Sequence, residues 1–245
     1  MIGKVCFVCS VLVVGMTGCS EPTRCVSPGT SSDARSAARM IRTSETRLAP
    51  VYGPLADHIA ERFDLAAKEG VGIDIGSGPG RLIIALCSRT GLHWVNADIN
   101  PCFFPYFFEQ AEAAGFGDRV SAIRADACVL PFRDCYADVI VSRGSFQFWR
   151  DKGQAFREIY RVLKPGGAAL IGRGFSPNLP IDTARTIRRG QRKGSFPSYD
   201  VQATKVELQQ VMQSAGISDY RICIPESPKD RTVSYGIWVE FYKVR

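Results

Sequence analysis

Histidine is scarce in this chain of 245 residues, which contains only His58 and His93. A multi-histidine metal centre or a Ser-His-Asp hydrolase would have few imidazoles to draw on, so both classes are disfavoured. Of the nine cysteines, four crowd the N-terminus and the other five are scattered without Cys-x-x-Cys spacing. The sequence therefore predicts neither a disulfide framework nor a structural metal site.

A membrane-spanning run is also missing from the N-terminus, because the apolar stretch from Val5 to Gly18 falls short of the ~20 residues that a spanning helix needs. Its length suits a signal-peptide core. The stretch closes at Met16-Thr17-Gly18-Cys19-Ser20, which resembles a bacterial lipoprotein signal with Cys19 as the lipidated residue. Residues 21–39 are rich in Ser, Pro, Arg and Ala, and we expect a disordered arm there.

Two locations follow from this N-terminus. The protein is membrane-anchored if Cys19 is lipidated, or cytoplasmic if Met40 is the true start. In either case the predicted organisation is a leader with a disordered arm over residues 1–39 and a folded domain over residues 40–245.

The composition is that of a globular domain with a basic surface. A hydrophobic fraction of 45% can fill a packed core. The net charge of +7 and a pI near 9.0 favour acidic partners, which include nucleic acid, lipid headgroups and phosphorylated or carboxylated small molecules. The charge alone does not choose among them.

Strand and helix patterns alternate along the chain. Val51, Leu55, Ile59 and Phe63 recur every four residues and predict an amphipathic helix over residues 50–65. Apolar runs and glycine stops then predict strands at 71–75, 93–98, 120–124, 137–142 and 168–172, separated by helices at 81–88, 104–114 and 154–163. Such alternation predicts a doubly wound, Rossmann-like α/β sheet, mostly parallel, with helices on both faces.

The C-terminal part follows a looser pattern. Residues 175–199 mix prolines, glycines and a basic run, and we interpret them as an insertion. A helix at 205–215 and strands at 221–224 and 235–243 complete seven strands, with the last two pairing as an antiparallel edge.

A glycine-rich turn stands between the first predicted strand and the helix after it, at Gly76-Ser77-Gly78-Pro79-Gly80. Glycines let the backbone approach a ligand, and the N–H groups at the start of the helix face that ligand. Asp98 ends the next strand, eighteen residues beyond Gly80, where a carboxylate can accept hydrogen bonds from ribose hydroxyls. Asp126 follows the third strand, with an apolar turn behind it that suits an adenine ring. These features predict a nucleoside site at the carboxyl edge of the sheet.

Over about residues 44–243 the chain resembles the class I S-adenosylmethionine (SAM)-dependent methyltransferases, in particular the ubiquinone and sterol methyltransferase group. The resemblance rests on four segments, which are Asp74–Gly80, Asp98–Asn100, Asp126–Phe132 and Glu158–Gly167. It implies a methyltransferase that uses SAM and no metal. The cofactor-binding residues that it implies, together with those that the strand ends indicate, are Tyr52, Asp74, Gly76, Ser77, Gly78, Gly80, Asp98, Ile99, Asn100, Asp126, Ala127 and Ser142. Within this set, Asp74 would approach the methionyl amino group and Tyr52 would help to close the pocket.

The segment after the fourth strand, Ser142 to Trp149, is where the resemblance implies contacts between cofactor and acceptor. Ser142 and Arg143 are the catalytic candidates. Phe146, Phe148 and Trp149 line an apolar pocket or simply pack on the next helix. An Asn-Pro-Pro-Tyr type of sequence is missing here, which argues against methylation of bases or glutamine.

The acceptor is expected to be a small molecule or a lipid. A basic run indicates an anionic acceptor or a solvated helix face, and it comprises Arg185, Arg188, Arg189, Arg192 and Lys193. Nucleic acid is disfavoured, because no aromatic residues are interleaved with this run. Cys102 and Cys128 follow the two carboxylates and invite comparison with arsenic methyltransferases, although free cysteines are more often buried apolar residues.

Two other functions stay open. The protein could be a non-catalytic SAM-binding or membrane-tethered accessory protein. An NAD-dependent oxidoreductase ranks lower, because its turn reads Gly-x-Gly-x-x-Gly and seats a pyrophosphate, whereas this turn reads Gly-x-Gly-x-Gly.

Overall fold

The computed structural model describes residues 30–189, 200–225 and 233–244. The predictions on Cys19 and the apolar leader, and those on Arg192 and Lys193, lie outside these residues. Within them, no helix combines the length and the apolar character needed to cross a membrane.

Seven strands form one sheet in the order β3-β2-β1-β4-β5-β7-β6. The strands are β1 (Val71–Ile75), β2 (His93–Asp98), β3 (Val120–Arg124), β4 (Ala137–Arg143), β5 (Leu163–Gly174), β6 (Tyr220–Cys223) and β7 (Gly236–Tyr242). Strands β1 to β5 pair in parallel, and β7 runs antiparallel to both β5 and β6. The predicted mostly parallel, doubly wound sheet is therefore confirmed, as is the antiparallel pairing of the last two strands.

Seven helices surround the described sheet. They are α1 (Ser31–Glu45), α2 (Ala49–Arg62), α3 (Arg81–Cys87), α4 (Phe104–Ala113), α5 (Lys152–Val162), α6 (Ile181–Arg189) and α7 (Val201–Ser214). Helices α2, α3, α4 and α6 share one apolar core with one face of the sheet, while α5 and α7 share a second core with the other face. Alternate residues of a strand enter different cores, as with Val139 and Ile140 of β4.

Helix α1 overturns part of the prediction for the N-terminus. Residues 31–39, expected to be a disordered arm, form the first turns of α1. Thr30 and Asp33 form a capping box that satisfies the N–H groups at its start. Ala37 is buried in a small cluster with Phe103 and Phe104. The small side chains that made this segment resemble a disordered arm let α1 lie close to the domain, so residues 30–39 belong to the packed structure.

The insertion is also more regular than its composition indicates. Helix α6 occupies part of the predicted insertion, and Ala184 and Ile187 bury its inner face in the core that α2 shares.

The sheet order reverses between β1 and β4, because the chain proceeds from β1 outward to β3 and then returns to β4. A crevice at the carboxyl ends of β1 and β4 is the place where open α/β sheets bind ligands.

Candidate functional site

The three glycines of the turn after β1 all have positive φ, at +66° for Gly76, +56° for Gly78 and +73° for Gly80. A Cβ at Gly76 would overlap Ser145, and one at Gly80 would overlap the Phe107 ring. These two glycines therefore allow close packing of the protein on itself. At Gly78 the nearest atom to a Cβ would be 3.9 Å away, on Phe103, so this is the predicted loop glycine with open space beside it.

Two side chains of β2 hold Gly78 in place, one through its N–H and one through its carbonyl group. Asp98 accepts a hydrogen bond from the Gly78 N–H with an N–O distance of 2.7 Å, and the Asn96 amide donates to the Gly78 carbonyl at 3.1 Å. The second oxygen of Asp98 accepts from the Asn100 N–H at 2.8 Å. Burial raises the pKa of Asp98, which these backbone donors oppose. Each oxygen keeps a lone pair, so Asp98 can still accept from ribose hydroxyls.

Asp74 is a buried carboxylate at the end of β1, only 2% exposed. Its Oδ1 atom has no hydrogen-bond partner among the described residues. Burial, helped by the charge on Asp98, raises the pKa of Asp74 to about 7, although Ser77 and Arg143 act in the opposite direction. A carboxylate in this state gains from a cationic donor, such as the methionyl ammonium of SAM.

Further buried polar atoms without a partner lie near Asp74, in the turn after β1, in β2 and in the segment after β4. They are Ser77 Oγ, Asn96 Oδ1 and Gln147 Oε1. Buried polar atoms are normally hydrogen-bonded, so a group of unpartnered ones at the carboxyl edge indicates a polar ligand. The residues present therefore fit SAM, which would supply an activated methyl group on its sulfonium. In the described part of the chain, no cluster of His, Cys, Asp or Glu could hold a metal ion.

The ends of β2 and β3 present an apolar surface beside Asp98. Ile99 is 61% exposed and Val129 is 68% exposed, which is unusual for large apolar side chains. Asp126 lies at the exposed rim and caps its own turn by accepting from the Cys128 N–H at 2.8 Å, while Ala127 is buried. Ile99 directly follows Asp98, and Val129 lies in the turn predicted to hold the adenine, so both exposed apolar side chains neighbour predicted cofactor contacts along the chain.

The loop that carries Val129 is clamped by helix α5. Glu158 accepts from the Leu130 N–H at 2.8 Å, and Arg161 donates to the carbonyl groups of Leu130 and Phe132. Hydrogen bonding to Arg161 lowers the pKa of Glu158. This explains in physical terms why Glu158 and Arg161 belong to the motif before β5, although neither side chain was predicted to act on the loop.

Arg143 and Tyr52 meet at the other end of the crevice. The Arg143 guanidinium lies 5.7 Å from the centre of the Tyr52 ring, and its Nε donates to the Gly174 carbonyl at 3.1 Å. Burial lowers the pKa of Arg143, which Tyr52 and Asp74 oppose. Burial also raises the pKa of Tyr52, so its hydroxyl stays protonated. The structure thus brings Tyr52 and Arg143 into contact, with Asp74 near enough for its charge to act on Arg143.

Ser142 has a different environment from that of Arg143. It is fully buried, and its Oγ lies 2.6 Å from that of Ser145, which in turn donates to the Ile75 carbonyl. This geometry favours a role in fixing β4 against the end of β1 over direct contact with an acceptor. Asn100 is similarly engaged, since it caps the turn at Cys102 and donates to the Asp33 carbonyl of α1.

The three aromatic residues after β4 divide between packing and exposure. Phe146 is buried, and the Trp149 ring packs on Phe156 of α5 at 5.9 Å between centres. Phe148 is 65% exposed. The apolar-wall interpretation thus applies to Phe148 alone.

The cysteines and arginines that the sequence indicated as candidates contact other residues of the protein. Cys128 is buried, and its thiol donates a hydrogen bond to the Asp151 carbonyl. Cys102 is half-buried. Of the basic run, Arg185 pairs with Asp182, and Arg188 lies over the Phe175 ring.

Comparison with known proteins agrees with this geometry. A family model for a methyltransferase domain matches residues 73–171. The methyltransferase GfsG of Streptomyces halstedii is 32% identical over 117 residues, which are 48% of this chain and 42% of that protein. The ubiquinone/menaquinone biosynthesis C-methyltransferase UbiE of Hahella chejuensis is 34% identical over 111 residues, 44% of this chain and 45% of that protein. The matched segments span less than half the length of these curated relatives.

A solved structure from Methanococcus maripaludis extends the similarity to the whole domain. That protein, assigned to the S-adenosyl-L-methionine-dependent methyltransferases, is 33% identical with a TM-score of 0.75, and the match covers 94% of this chain and 98% of the other. Identity at this level over nearly all of both chains, on a sheet with β7 inserted between β5 and β6, shows common descent. The chain belongs to the class I SAM-dependent methyltransferases.

Proposed function

We propose that this protein transfers the methyl group of SAM to a small-molecule acceptor. The observation that carries the proposal is the pair of carboxylates at neighbouring strand ends. Asp74 has an unpartnered buried oxygen, and Asp98 lies 2.7 Å from the N–H of the open Gly78. An ammonium group and a ribose at these two positions would satisfy both, and SAM carries the two groups in one molecule.

The chain's own residues would mainly orient the reactants. Asp74 binds the ammonium end of the cofactor, Asp98 holds the ribose, and Ile99 with Val129 flanks the adenine. Tyr52 and α2 cover the crevice and exclude water. Alignment of two reactants in this way can supply about 7–11 kcal/mol of the barrier, and the sulfonium is already an activated methyl donor.

A groove beside this crevice has the size of a small-molecule site. It encloses about 410 Å³ between the α1–α2 link and α6, and the residues that line it include Arg47, Pro50 and Ile187. Ligand pockets are commonly 300–1,000 Å³. The name of the UbiE relative, a C-methyltransferase of ubiquinone and menaquinone biosynthesis, supports a small organic acceptor. A lipid acceptor stays a narrower version of the same proposal.

The test is an untargeted search for methylated products. The full chain is incubated with isotope-labelled SAM and a small-molecule extract of the source cells, with Asp98→Ala as the control. Labelled product with the native chain and a large loss with the variant are expected. Calorimetry with S-adenosylhomocysteine accompanies the assay. Binding without any labelled product would favour the alternative of a non-catalytic SAM-binding protein, and unchanged affinity in Asp98→Ala would contradict the site.

For location we propose the same two alternatives as the sequence does, a lipidated Cys19 or a cytoplasmic protein that starts at Met40. Mass spectrometry of the native N-terminus separates them. An acylated Cys19 supports the anchor, whereas an N-terminus at Met1 or Met40 excludes it.

A further inference from the structure

Arg143 is a cation at the inner end of the site that makes no salt bridge to a described residue, although the Asp74 charge is near enough to act on it. Its one hydrogen bond to a described residue is from Nε to the Gly174 carbonyl, and it forms no salt bridge within the described part of the chain. Its two terminal amino groups therefore have no hydrogen-bond partner there. Arg143 is half-buried, and partial removal of a guanidinium from water is costly unless an anion compensates it, so this position favours a negatively charged ligand.

The groove lies against the same elements that surround Arg143. Arg143 contacts Tyr52 of α2 on one side and Gly174, where β5 ends on the way to α6, on the other. The groove runs between the link before α2 and α6 itself. None of the residues that line it belongs to the strand-end loops that would hold the cofactor, so the groove is distinct from the predicted cofactor site.

Arg47 adds a second unpaired cation at this approach. It lines the groove, is exposed, and forms no hydrogen bond or ion pair with its side chain to any described residue. Its charge acts on Arg143 and lowers the pKa of that residue, in addition to the effect of burial. The acid on the opposite wall, Asp182, is paired with Arg185 at 2.8 Å. The groove therefore has an excess of positive charge.

The remaining lining residues suit a small organic molecule. Pro50 and Ile187 offer apolar surface, and Thr46, Thr183 and Thr186 offer hydroxyl groups. The hydroxyls of Thr46 and Thr186 donate to backbone carbonyls of their own helices, and each keeps acceptor capacity. A flat or chain-like acceptor with one charged group would fit this mixture.

We propose that the acceptor carries a carboxylate or a comparable delocalised oxyanion, which Arg143 binds at the inner end of the groove and Arg47 attracts at its entrance. The proposal rests on the proposed methyl transfer and names its substrate class. In the reaction, the acceptor's nucleophile forms a bond to the methyl carbon as the carbon–sulfur bond breaks. The electron pair passes to sulfur, and any proton on the nucleophile leaves to water.

The first test fractionates the extract on an anion exchanger before the reaction. Each fraction is then incubated with the full chain and labelled SAM. The acceptor is expected among the retained compounds, and an acceptor in the unretained fraction would overturn the proposal. If S-adenosylhomocysteine binds but no fraction yields a labelled product, the proposed methyl transfer itself fails, and the substrate class fails with it.

The second test uses variants with the active fraction. Arg143→Gln should raise the KM for the acceptor at least about tenfold, because a charged hydrogen bond is lost. At pH 8, where Asp74 is mostly ionised in the native chain, the affinity of this variant for S-adenosylhomocysteine should stay within about twofold of the native value, and Arg143→Lys should recover part of the KM loss. Arg39→Gln, an equal change of charge on the exposed side of α1, is the matched control and should leave the KM unchanged.

Arg47→Gln keeps the proposal testable if Arg143→Gln does not fold. Because Arg47 is exposed, its variant should raise the KM only at low salt. The opposing outcome is that Arg143 holds the carboxylate of the cofactor. Arg143→Gln would then weaken S-adenosylhomocysteine binding but leave 5′-methylthioadenosine, which lacks the amino-acid part, unaffected. That result, or an unchanged acceptor KM in both variants, overturns the proposal.

Discussion

At the scale of single residues, two glycines share one strained backbone conformation in different surroundings. Gly78 has φ +56° in the turn after β1, and Gly115 has φ +76° after α4, where a Cβ would meet no atom within 4 Å. Alanine at either position should cost about 1–2 kcal/mol of stability through the left-handed conformation. Comparing the two alanine variants therefore separates the effect of backbone strain from the effect of a lost ligand contact.

We predict that Gly78→Ala weakens S-adenosylhomocysteine binding by more than about tenfold, because the added Cβ enters the space where the cofactor approaches the backbone. Gly115→Ala should lose a similar amount of stability and bind normally. Calorimetry and thermal unfolding of both variants measure the two effects. Equal affinities in the two variants would show that Gly78 is only a turn residue.

Asp74 makes cofactor binding dependent on pH. Burial raises its pKa to about 7, so much of it is protonated in the free protein at pH 6. An ammonium ligand needs the ionised form. We predict that affinity for S-adenosylhomocysteine falls by up to about tenfold per pH unit below 7 and levels off above it. Calorimetry at pH 6, 7 and 8 tests this, and Asp74→Asn should bind weakly with a flat profile.

The raised pKa of Asp74 affects the stability of the free protein in the opposite direction, because a low pH weakens cofactor binding but stabilises the fold. The folded state holds the Asp74 proton more tightly than the unfolded chain does, because the ordinary pKa is 3.8. The stabilisation from this proton is complete below that value and is lost as the pH rises through 7.

Most residues of the candidate site could be identified from the sequence because glycines and carboxylates at strand ends leave a local pattern. The others depend on contacts between distant segments. Asn96 acts on Gly78, eighteen residues earlier, and Arg47 meets the site only because α2 folds back over it. A signal for Asn96 did exist, since a polar residue inside the apolar strand β2 requires a partner. Nothing in the local sequence distinguishes Arg47 from other exposed arginines.

At the scale of elements, strands β1 to β4 were predicted within a residue because parallel strands buried on both faces are continuous apolar runs. Helices α1 and α6 were not predicted, because their stability comes from tertiary packing. Strand β5 also begins earlier than predicted, at Leu163, where it pairs with Ala137 of β4. The Lys164-Pro165-Gly166-Gly167 segment therefore lies within a strand, although its composition is typical of a turn.

Helix α1 offers a second matched pair. Ala37 is buried against Phe103 and Phe104, whereas Ala38 is exposed. We predict that Ala37→Arg lowers the melting temperature by several degrees and weakens S-adenosylhomocysteine binding several-fold. The reason is that α1 also holds Asn100, two residues after Asp98, through the Asp33 carbonyl. Ala38→Arg adds the same side chain and should change neither quantity. Thermal unfolding of both variants, with and without ligand, measures the change in melting temperature and in binding.

At the scale of the whole molecule, ligand binding should stabilise the sheet where its order reverses. S-adenosylhomocysteine at a hundred times its Kd should add about 2.7 kcal/mol. For a domain of this size that corresponds to a rise in melting temperature of roughly 5–10 °C. NADH at the same concentration should give no shift. A shift with NADH alone would revive the oxidoreductase interpretation.

The sheet and its covering helices have separate proposed roles, and this separation affects how such a protein can evolve. The carboxylates that we propose to bind the cofactor stand on β1 and β2, whereas the groove proposed for the acceptor is formed by the α1–α2 link and by α6. Mutations in these two outer segments can alter which compound enters without disturbing the donor. New acceptor preferences can therefore arise by drift at the periphery while the inherited chemistry is retained.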